Sequence, residues 1–382
     1  MKDKKTIKIL MILSNPFMVD PRVYKEAKSL VDAGYSVVVI VWDRHNEYEP
    51  ETIIDGIKVV RIHNSQLMKV LPHDLFRNPL WWRKAYKKGL ELYKNGFDFD
   101  VVHCHDLDTL QAGIWLKRKL GKKIVFDAHE IFGYMASRTM PKFVVLFIFK
   151  LEKKLVKYVD FVITAEDTYN DYFKSLGCNS ILNILNCKEI ITNEYISPKT
   201  KMFTIIYIGV LNRSRFFPEN LEVIGNIPKV KFIVAGKKEN IYQEIDTLSK
   251  KYSNINFIGS ITYDKVIPYT MNANLVLCMI KPDDINNKIS TANKQFEAMV
   301  CGRPIICTKG TKSGEITERE NCGLVIDYDK ISLEKAVVLL RDSPNLCEKF
   351  GRNALQAAIN KYNWRIEEKK LLSLYENIKV TV

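Results

Sequence analysis

The sequence predicts an α/β protein built from two doubly wound parallel-sheet domains in tandem. Three observations predict it. At 382 residues the chain exceeds the size at which one hydrophobic core stops growing. Short, nearly continuous β-branched runs alternate with amphipathic helical stretches, as strands covered on both faces require. The alternation lapses around residues 188–202, a mixed polar stretch containing Pro198, and then restarts.

In the first half the strand candidates are Ile7–Leu13, Ser36–Val41, Lys58–Ile62, Val101–His103, Lys123–Phe126, Phe161–Thr164 and Ile181–Leu185, with helices such as Pro21–Ala33 and Thr109–Leu120 between them. The second half offers Thr204–Ile208, Lys231–Ala235, Asn256–Ile258, Leu275–Met279, Pro304–Cys307 and Leu324–Ile326, with a helix over Asn293–Val300 and a tail of two or more helices from Ser332 to Ile378. The expected domains are therefore 1–187 and 188–361. In such sheets ligands bind outside the carboxyl ends of the strands. Residues just past a strand end are candidates for chemistry, and those within it are core.

Composition narrows the class. Hydrophobic content of 47% and charged content of 27% are those of a globular protein, not of a disordered, collagen-like or coiled-coil chain. The formal charge of +14 suits phosphates, anionic lipid or nucleic acid as partners. Eight cysteines without CxxC spacing, several inside apolar runs, point to reduced thiols and a cytoplasmic location. Lys2, Lys4, Lys5 and Lys8 ahead of Ile9–Leu13 imitate a signal peptide. However, the apolar stretch is short and Asn15-Pro16 stands where a cleavage site would be, so a first strand is expected. The run Phe143–Phe149 is far shorter than the ~20 residues of a spanning helix.

Two segments carry the chemistry. In Ser290–Pro304, a polar loop enters a helix with Lys294 in its first turn and Glu297 three residues on, on the same face. A helix N-terminus presents free N–H groups and partial positive charge to a phosphate, and Lys294 strengthens it. Glu297, one turn deeper, has the reach to accept hydrogen bonds from a ribose. The same spacing also describes an exposed Lys–Glu pair on a surface helix. In Ile205–Phe217, a strand ends at Gly209 and the following loop bears Arg213 and Arg215. A guanidinium there suits bidentate contact with a diphosphate, and two solvated arginines fit equally well.

Together with other strings the segments resemble glycosyltransferase family 4, retaining enzymes of the GT-B fold with two Rossmann-like domains. The strings are DPRVYKEAKSLVDAGY at 20–35, DVVHCHDLDT at 100–109, FDAHE at 126–130, FVITAED at 161–167, YIGVLNRSR at 207–215, NKQFEAMVCGRPII at 293–306, CGLVIDYD at 322–329 and KYNW at 361–364. They run in the family's order over nearly the whole chain. The resemblance implies an N-terminal acceptor domain and a C-terminal donor domain, with a last helix from about Tyr362 (362–382) crossing back to the first. It implies metal-independent transfer from a nucleotide-sugar, UDP- or GDP-linked, with no further cofactor, to a glycan or lipid-linked acceptor.

By the same resemblance Arg215 and Lys294 hold the donor diphosphate, Gly209 and Asn293 border it, and Glu297 holds the ribose. His129 faces the donor sugar or leaving group. Asp20, Arg22, His105, Asp106, Asp127, Glu130 and Asn287 are candidates for the cleft or acceptor. The sequence departs from the family at Ile289, where the first acid of a Glu-x7-Glu pair belongs. Asp283, Asp284 or the Asn286-Asn287 pair are the candidate replacements. That departure keeps a catalytically silent subunit or sugar-binding partner in view, and a nucleotide-sugar epimerase is the third reading.

Other signals carry less. Asp98-Phe99-Asp100 and Asp106-Leu107-Asp108 spell D-x-D, the metal motif of a different transferase fold. His103 and His105 share a strand face but no third ligand is evident, so no metal site is expected. Asp20-Pro21 reads as helix cap and first helical residue. No GxGxxG follows a strand, which argues against a nicotinamide enzyme. No nucleic-acid partner is expected. Two basic stretches, Arg77–Lys94 with Trp81 and Trp82, and Arg138–Tyr158 around Phe143–Phe149, suit either an anionic membrane surface or core-facing helices with solvated lysines.

Overall fold

The computed structural model describes residues 6–381 except 19 and 239. The lysines at positions 2, 4 and 5 lie outside the described residues. The chain divides into two compact units, Met1–Leu185 with Glu367–Val382, and Asn186–Ile366. The first crossing thus comes two residues before the expected 187, and the second five residues after the expected 361.

The strands are β1 (Lys8–Leu13), β2 (Ser36–Asp43), β3 (Glu51–Ile54), β4 (Ile57–His63), β5 (Val101–His105), β6 (Lys123–Ala128), β7 (Phe161–Thr164) and β8 (Ile181–Asn183) in the first unit. The second unit has β9 (Phe203–Ile208), β10 (Val230–Ala235), β11 (Ile255–Phe257), β12 (Leu275–Cys278), β13 (Ile305–Thr308) and β14 (Gly323–Ile326). In the second sheet the spatial order is β11-β10-β9-β12-β13-β14, all neighbours parallel. That is the doubly wound 3-2-1-4-5-6 order, whose switch point lies between β9 and β12. The first sheet runs β3-β4-β2-β1-β5-β6-β7-β8, with its switch point between β1 and β5. Their interiors, such as Val38–Trp42 and Ile205–Tyr207, are buried because helices cover both faces.

The edge strand β3 is the departure from an all-parallel sheet. It pairs antiparallel with β4 across Asp55-Gly56, both at positive φ (48° and 83°), the conformation a two-residue hairpin turn demands. In the tail, helices at Lys330–Asp342, Pro344–Asn360 and Trp364–Thr381 follow one another. The last begins two residues after the expected Tyr362. Its turns from Glu367 onward belong to the first unit, where Glu367 accepts from the Leu185 N–H at 3.0 Å and Tyr375 is fully buried.

The two basic stretches part company. Over Arg77–Lys94 the tryptophans face inward, contrary to a membrane-anchor role. Trp81 is wholly buried and stacked on Trp42 at 5.3 Å, and Trp82 donates its indole N–H to the Asp108 carbonyl at 2.6 Å. Arg77 and Lys84 are drawn to the carbonyls of Leu71 and His63. The helix Lys142–Leu155, by contrast, buries Val144, Ile148 and Leu155 and leaves Phe143, Leu146 and Phe147 outside at 73%, 60% and 56% exposure. Among the described residues no helix is long and apolar enough to cross a membrane. All eight cysteines are buried and none is in a disulfide.

Candidate functional site

In the second unit, β9 ends beside its switch point at Gly209 (φ 150°), where a Cβ would stand 3.2 Å from the Lys294 ammonium. Glycine therefore leaves room for the lysine. Lys294 projects from the first turn of the helix Asn293–Val300 and lies over the Tyr207 ring at 3.8 Å, a cation–π contact. It is 9% exposed, so the expected alternative of a surface Lys–Glu pair does not hold. Burial, helped by the neighbouring Arg215 charge, pulls its ammonium down to about 8. A lysine in that state carries a charge that has lost its water and gains strongly from an arriving anion.

Arg215 leaves the short turn Arg213–Arg215 half-buried and donates to Asn287 Oδ1 at 3.2 Å. Asn287 is itself fixed, donating its amide to the Lys281 carbonyl at 3.0 Å and its backbone N–H to Asp284 at 2.8 Å. Arg213 instead points outward and pairs with Glu244 at 2.9 Å. Near the missing acid, Asp284 caps the helix Ile285–Ile289, Asp283 pairs with Lys281 at 3.0 Å, and Asn286 accepts from Ser290. Asn287 is thus the member of this group that orients the arginine.

Glu297 is buried and ion-paired with Lys188 at 3.1 Å, and Lys188 also donates to the Tyr263 hydroxyl at 2.6 Å. Lys188, placed by a bridge to Asn363, is a site neighbour that no sequence pattern signals. Asn293 is exposed and accepts from Asn186 at 3.0 Å.

In the first unit the polar cluster gathers at the ends of β5 and β6. Asp106 ends β5 and precedes the helix Leu107–Leu120 with φ 62° and ψ 165°. For a residue other than glycine this is a strained backbone, costing ~1–3 kcal/mol. Its carboxylate accepts from the His129 N–H at 3.0 Å and sits 3.3 Å from His129 Nδ1. On the other side His129 Nε2 lies 3.2 Å from Asp127. Against the cost of burial, these two carboxylates push His129 up to about 10, so it is an imidazolium near neutral pH. Burial pushes Asp106 up to about 7, opposed by His129.

Arg22 anchors the cluster from within. It donates to both oxygens of Asp127, at 3.0 and 2.8 Å, and to the Ile184 carbonyl at 2.9 Å. Against burial, the charges of Arg22 and His129 hold Asp127 well below the carboxylate range. Arg22, Asp127 and His105 are buried behind His129, which is itself only partly covered. They can act on a substrate only through it. Asp20 caps its helix, accepting from the Val23 N–H at 3.2 Å and from Asn15 at 2.9 Å. Glu130 follows His129, half-buried.

The expectation that His103 and His105 lack further ligands is corrected here. Glu26, four residues after Arg22 on the same helix face, and Asp127 bring carboxylates to both histidines, with ligand atoms all within 4.8 Å of one another. The D-x-D at 98–100 is structural. Asp98 pairs with Lys122 and Asp100 accepts from the Lys8 N–H.

The profile of Glycosyltransferase Family 4 matches residues 21–182, and that of Glycosyl transferases group 1 matches residues 203–342. The chain belongs to glycosyltransferase family 4. A Methanocaldococcus jannaschii relative named as the uncharacterized glycosyltransferase MJ1069 is 21% identical, covering 91% of each chain. Sucrose-phosphate synthase from Thermosynechococcus elongatus superposes with a TM-score of 0.81 at 15% identity, over 98% of this chain and 100% of that one. Anabaena HepE, solved with UDP-glucose, gives 0.71 at 13%, over 97% and 100%. This family 4 transferase therefore has the GT-B fold, two Rossmann-like parallel-sheet domains.

Proposed function

We propose that this glycosyltransferase moves a sugar, with retention, from a nucleoside-diphosphate sugar to a glycan or lipid-linked acceptor. The observation that carries the reading is the buried Lys294 at a helix N-terminus, beside the glycine ending β9, with Arg215 held by Asn287. Desolvated, positioned cations at a helix terminus stabilise the charge that grows on a leaving diphosphate. HepE, of the same fold, binds UDP-glucose, which supports a nucleotide-sugar donor, UDP- or GDP-linked.

The chemistry follows from charge. As the bond from sugar to diphosphate lengthens, negative charge accumulates on the departing oxygens. Arg215, Lys294 and the helix N–H groups neutralise it, so this step needs no metal ion on the diphosphate. In a front-face reaction the leaving diphosphate takes the acceptor's hydroxyl proton. Each positioned donor contributes ~3–4 kcal/mol to lowering the barrier. His129, an imidazolium with Nδ1 turned to Asp106 and Nε2 to Asp127, meets the sugar or leaving group as a fixed positive charge without surrendering its proton. Glu297 holds the ribose with Lys188 fixing its carboxylate.

The exposed Phe143, Leu146 and Phe147, flanked by Lys142 and Lys150, form an apolar strip with a basic border. This supports docking of the first unit on an anionic membrane surface, where a lipid-linked acceptor resides, on the cytoplasmic side where thiols stay reduced.

Thermal-shift screening against UDP-, GDP-, ADP- and dTDP-sugars tests the reading. The true donor at 100 times its dissociation constant adds ~2.7 kcal/mol of stability. Transfer to acceptor, or donor hydrolysis, is expected to fall ~10²–10³-fold in Arg215→Ala and in Lys294→Ala. Binding without turnover of any donor would make the chain a silent sugar-binding subunit. An altered nucleotide-sugar formed without acceptor would make it an epimerase.

A further inference from the structure

We propose that the first unit binds one divalent first-row transition ion of the zinc class inside its core, ligated by His103, His105 and Glu26. His103 and His105 lie one residue apart on the same face of β5, their rings stacked at 4.3 Å. Glu26 comes from the helix Pro21–Asp32 with its Oε2 4.0 Å from His103 Nε2. An ion with bonds of ~2.0–2.2 Å to imidazole and carboxylate fits such a gap. All three residues are fully buried.

The case rests on what these atoms lack. His103 Nε2 and His105 Nε2 are buried without a hydrogen-bond partner, as are both Glu26 oxygens, although Oε1 lies 3.1 Å from Arg22 Nε. Buried polar atoms left unpaired keep the cost of losing water with nothing to offset it. Arg22 cannot serve the two ring nitrogens, because its N–H groups are directed to Asp127, Glu26 and Ile184.

The opposite nitrogen of each ring, meanwhile, is engaged. His103 Nδ1 lies 2.8 Å from the Tyr375 hydroxyl and His105 Nδ1 lies 3.3 Å from Asp127 Oδ2. When each Nδ1–H donates outward, to the Tyr375 oxygen and to the Asp127 carboxylate, each Nε2 presents its lone pair inward. A histidine oriented by a carboxylate or hydroxyl on its far side is the arrangement that metal sites use. Two imidazoles with one carboxylate select zinc, cobalt or iron over calcium and magnesium. An interior water could also satisfy such atoms, and it is the occupant the experiment must distinguish.

An ion here would lie behind the reacting groups. His105 Nδ1 is also 3.3 Å from His129 Nε2, so ligation fixes the residue against which His129 rests. The ion is distinct from any on the donor diphosphate, and no step of the transfer passes through it.

Because the site has no exposed atom, the ion enters as the chain folds. The test unfolds the full-length protein in urea with a chelator, refolds it with excess zinc or cobalt chloride, desalts it and counts metal by mass spectrometry. About one ion per chain is expected, with the visible d–d bands of low-coordinate cobalt and X-ray absorption showing two imidazole ligands. Glu26→Gln and His105→Gln lose the ion. Tyr375→Phe, which removes only a positioning residue, weakens affinity ~10–100-fold. A refolded wild type that regains its circular dichroism with no stoichiometric metal would mean that water fills the site and would overturn the proposal. So would retention of the ion in His105→Gln. If the ligand variants fail to fold, the absorption spectrum of the wild type decides alone, and absence of imidazole scattering refutes the site.

Discussion

Replacing Lys294 with methionine should make the protein more stable and inactive at once. The ammonium is 9% exposed, and burial brings it from 10.5 down to about 8. At about 1.36 kcal/mol per pH unit, keeping it charged in the folded protein costs ~3 kcal/mol near neutral pH. Methionine has similar reach and no charge, and it removes that cost while losing the Tyr207 contact, worth ~1–2 kcal/mol. A net gain of ~1–2 kcal/mol is expected. The sign with pH follows from proton counts. Between the folded value of about 8 and the unfolded 10.5, the unfolded chain binds the extra proton, so wild-type stability rises with pH through that window. Lys294→Met should show a smaller rise. Urea melts of both proteins at neutral pH and at pH ~9.5, alongside donor titrations at neutral pH, make the measurement. A variant less stable than wild type at neutral pH, or one that still binds donor as tightly, would refute a desolvated phosphate-binding charge.

Other predictions concern separate parts of the molecule. Arg215→Ala should lower kcat ~10²–10³-fold, and Asn287→Ala, which frees the guanidinium but keeps its charge, should cost less, both read from steady-state transfer rates. Asp106→Asn keeps a hydrogen-bonding group beside His129 but removes a charge holding it at about 10. Its rate should fall at a lower pH than the wild type's, and superimposable pH profiles would remove His129 as a charged participant. Phe143→Ser with Phe147→Ser should abolish flotation with anionic liposomes at low salt while leaving the melting temperature unchanged. Trp81→Ala should destabilise by ~3–5 kcal/mol through the cavity it opens against Trp42, as denaturant titration would measure.

Much of the architecture was legible because parallel strands covered on both faces must be apolar runs. Phe161–Thr164 and the helix Asn293–Val300 match the residues read from sequence. The hairpin strand Glu51–Ile54 escaped because it is a four-residue edge with Ile53 turned to solvent. Only the Asp55-Gly56 turn could have announced it. The places of Arg215 and Lys294 were legible because one lies in the loop after a strand end and the other in the first turn of a helix. Lys188 was not, since an ion pair with Glu297 from a distant segment leaves no periodic trace. Glu26 had a signal, its i,i+4 spacing from Arg22, but the meaning of that pair depends on β5 and β6 standing side by side. The tryptophans at 81 and 82 left two readings open because a basic helix with aromatic residues looks the same whether the rings face lipid or core.

The return of the chain's end to its beginning has a consequence for biosynthesis. Tyr375 is buried against His103, and Glu367 and Lys370 reach Leu185 and Asn183. Translation therefore delivers the whole of Asn186–Ile366 before the first unit receives its final segment. On the ribosome the unit made first is completed last. A nascent chain stalled or clipped short of residue 367 would carry a finished second unit beside a first unit whose interior polar cluster is open on one side. A folding defect in Glu367–Val382 would thus present as damage to the unit that the N-terminal half builds.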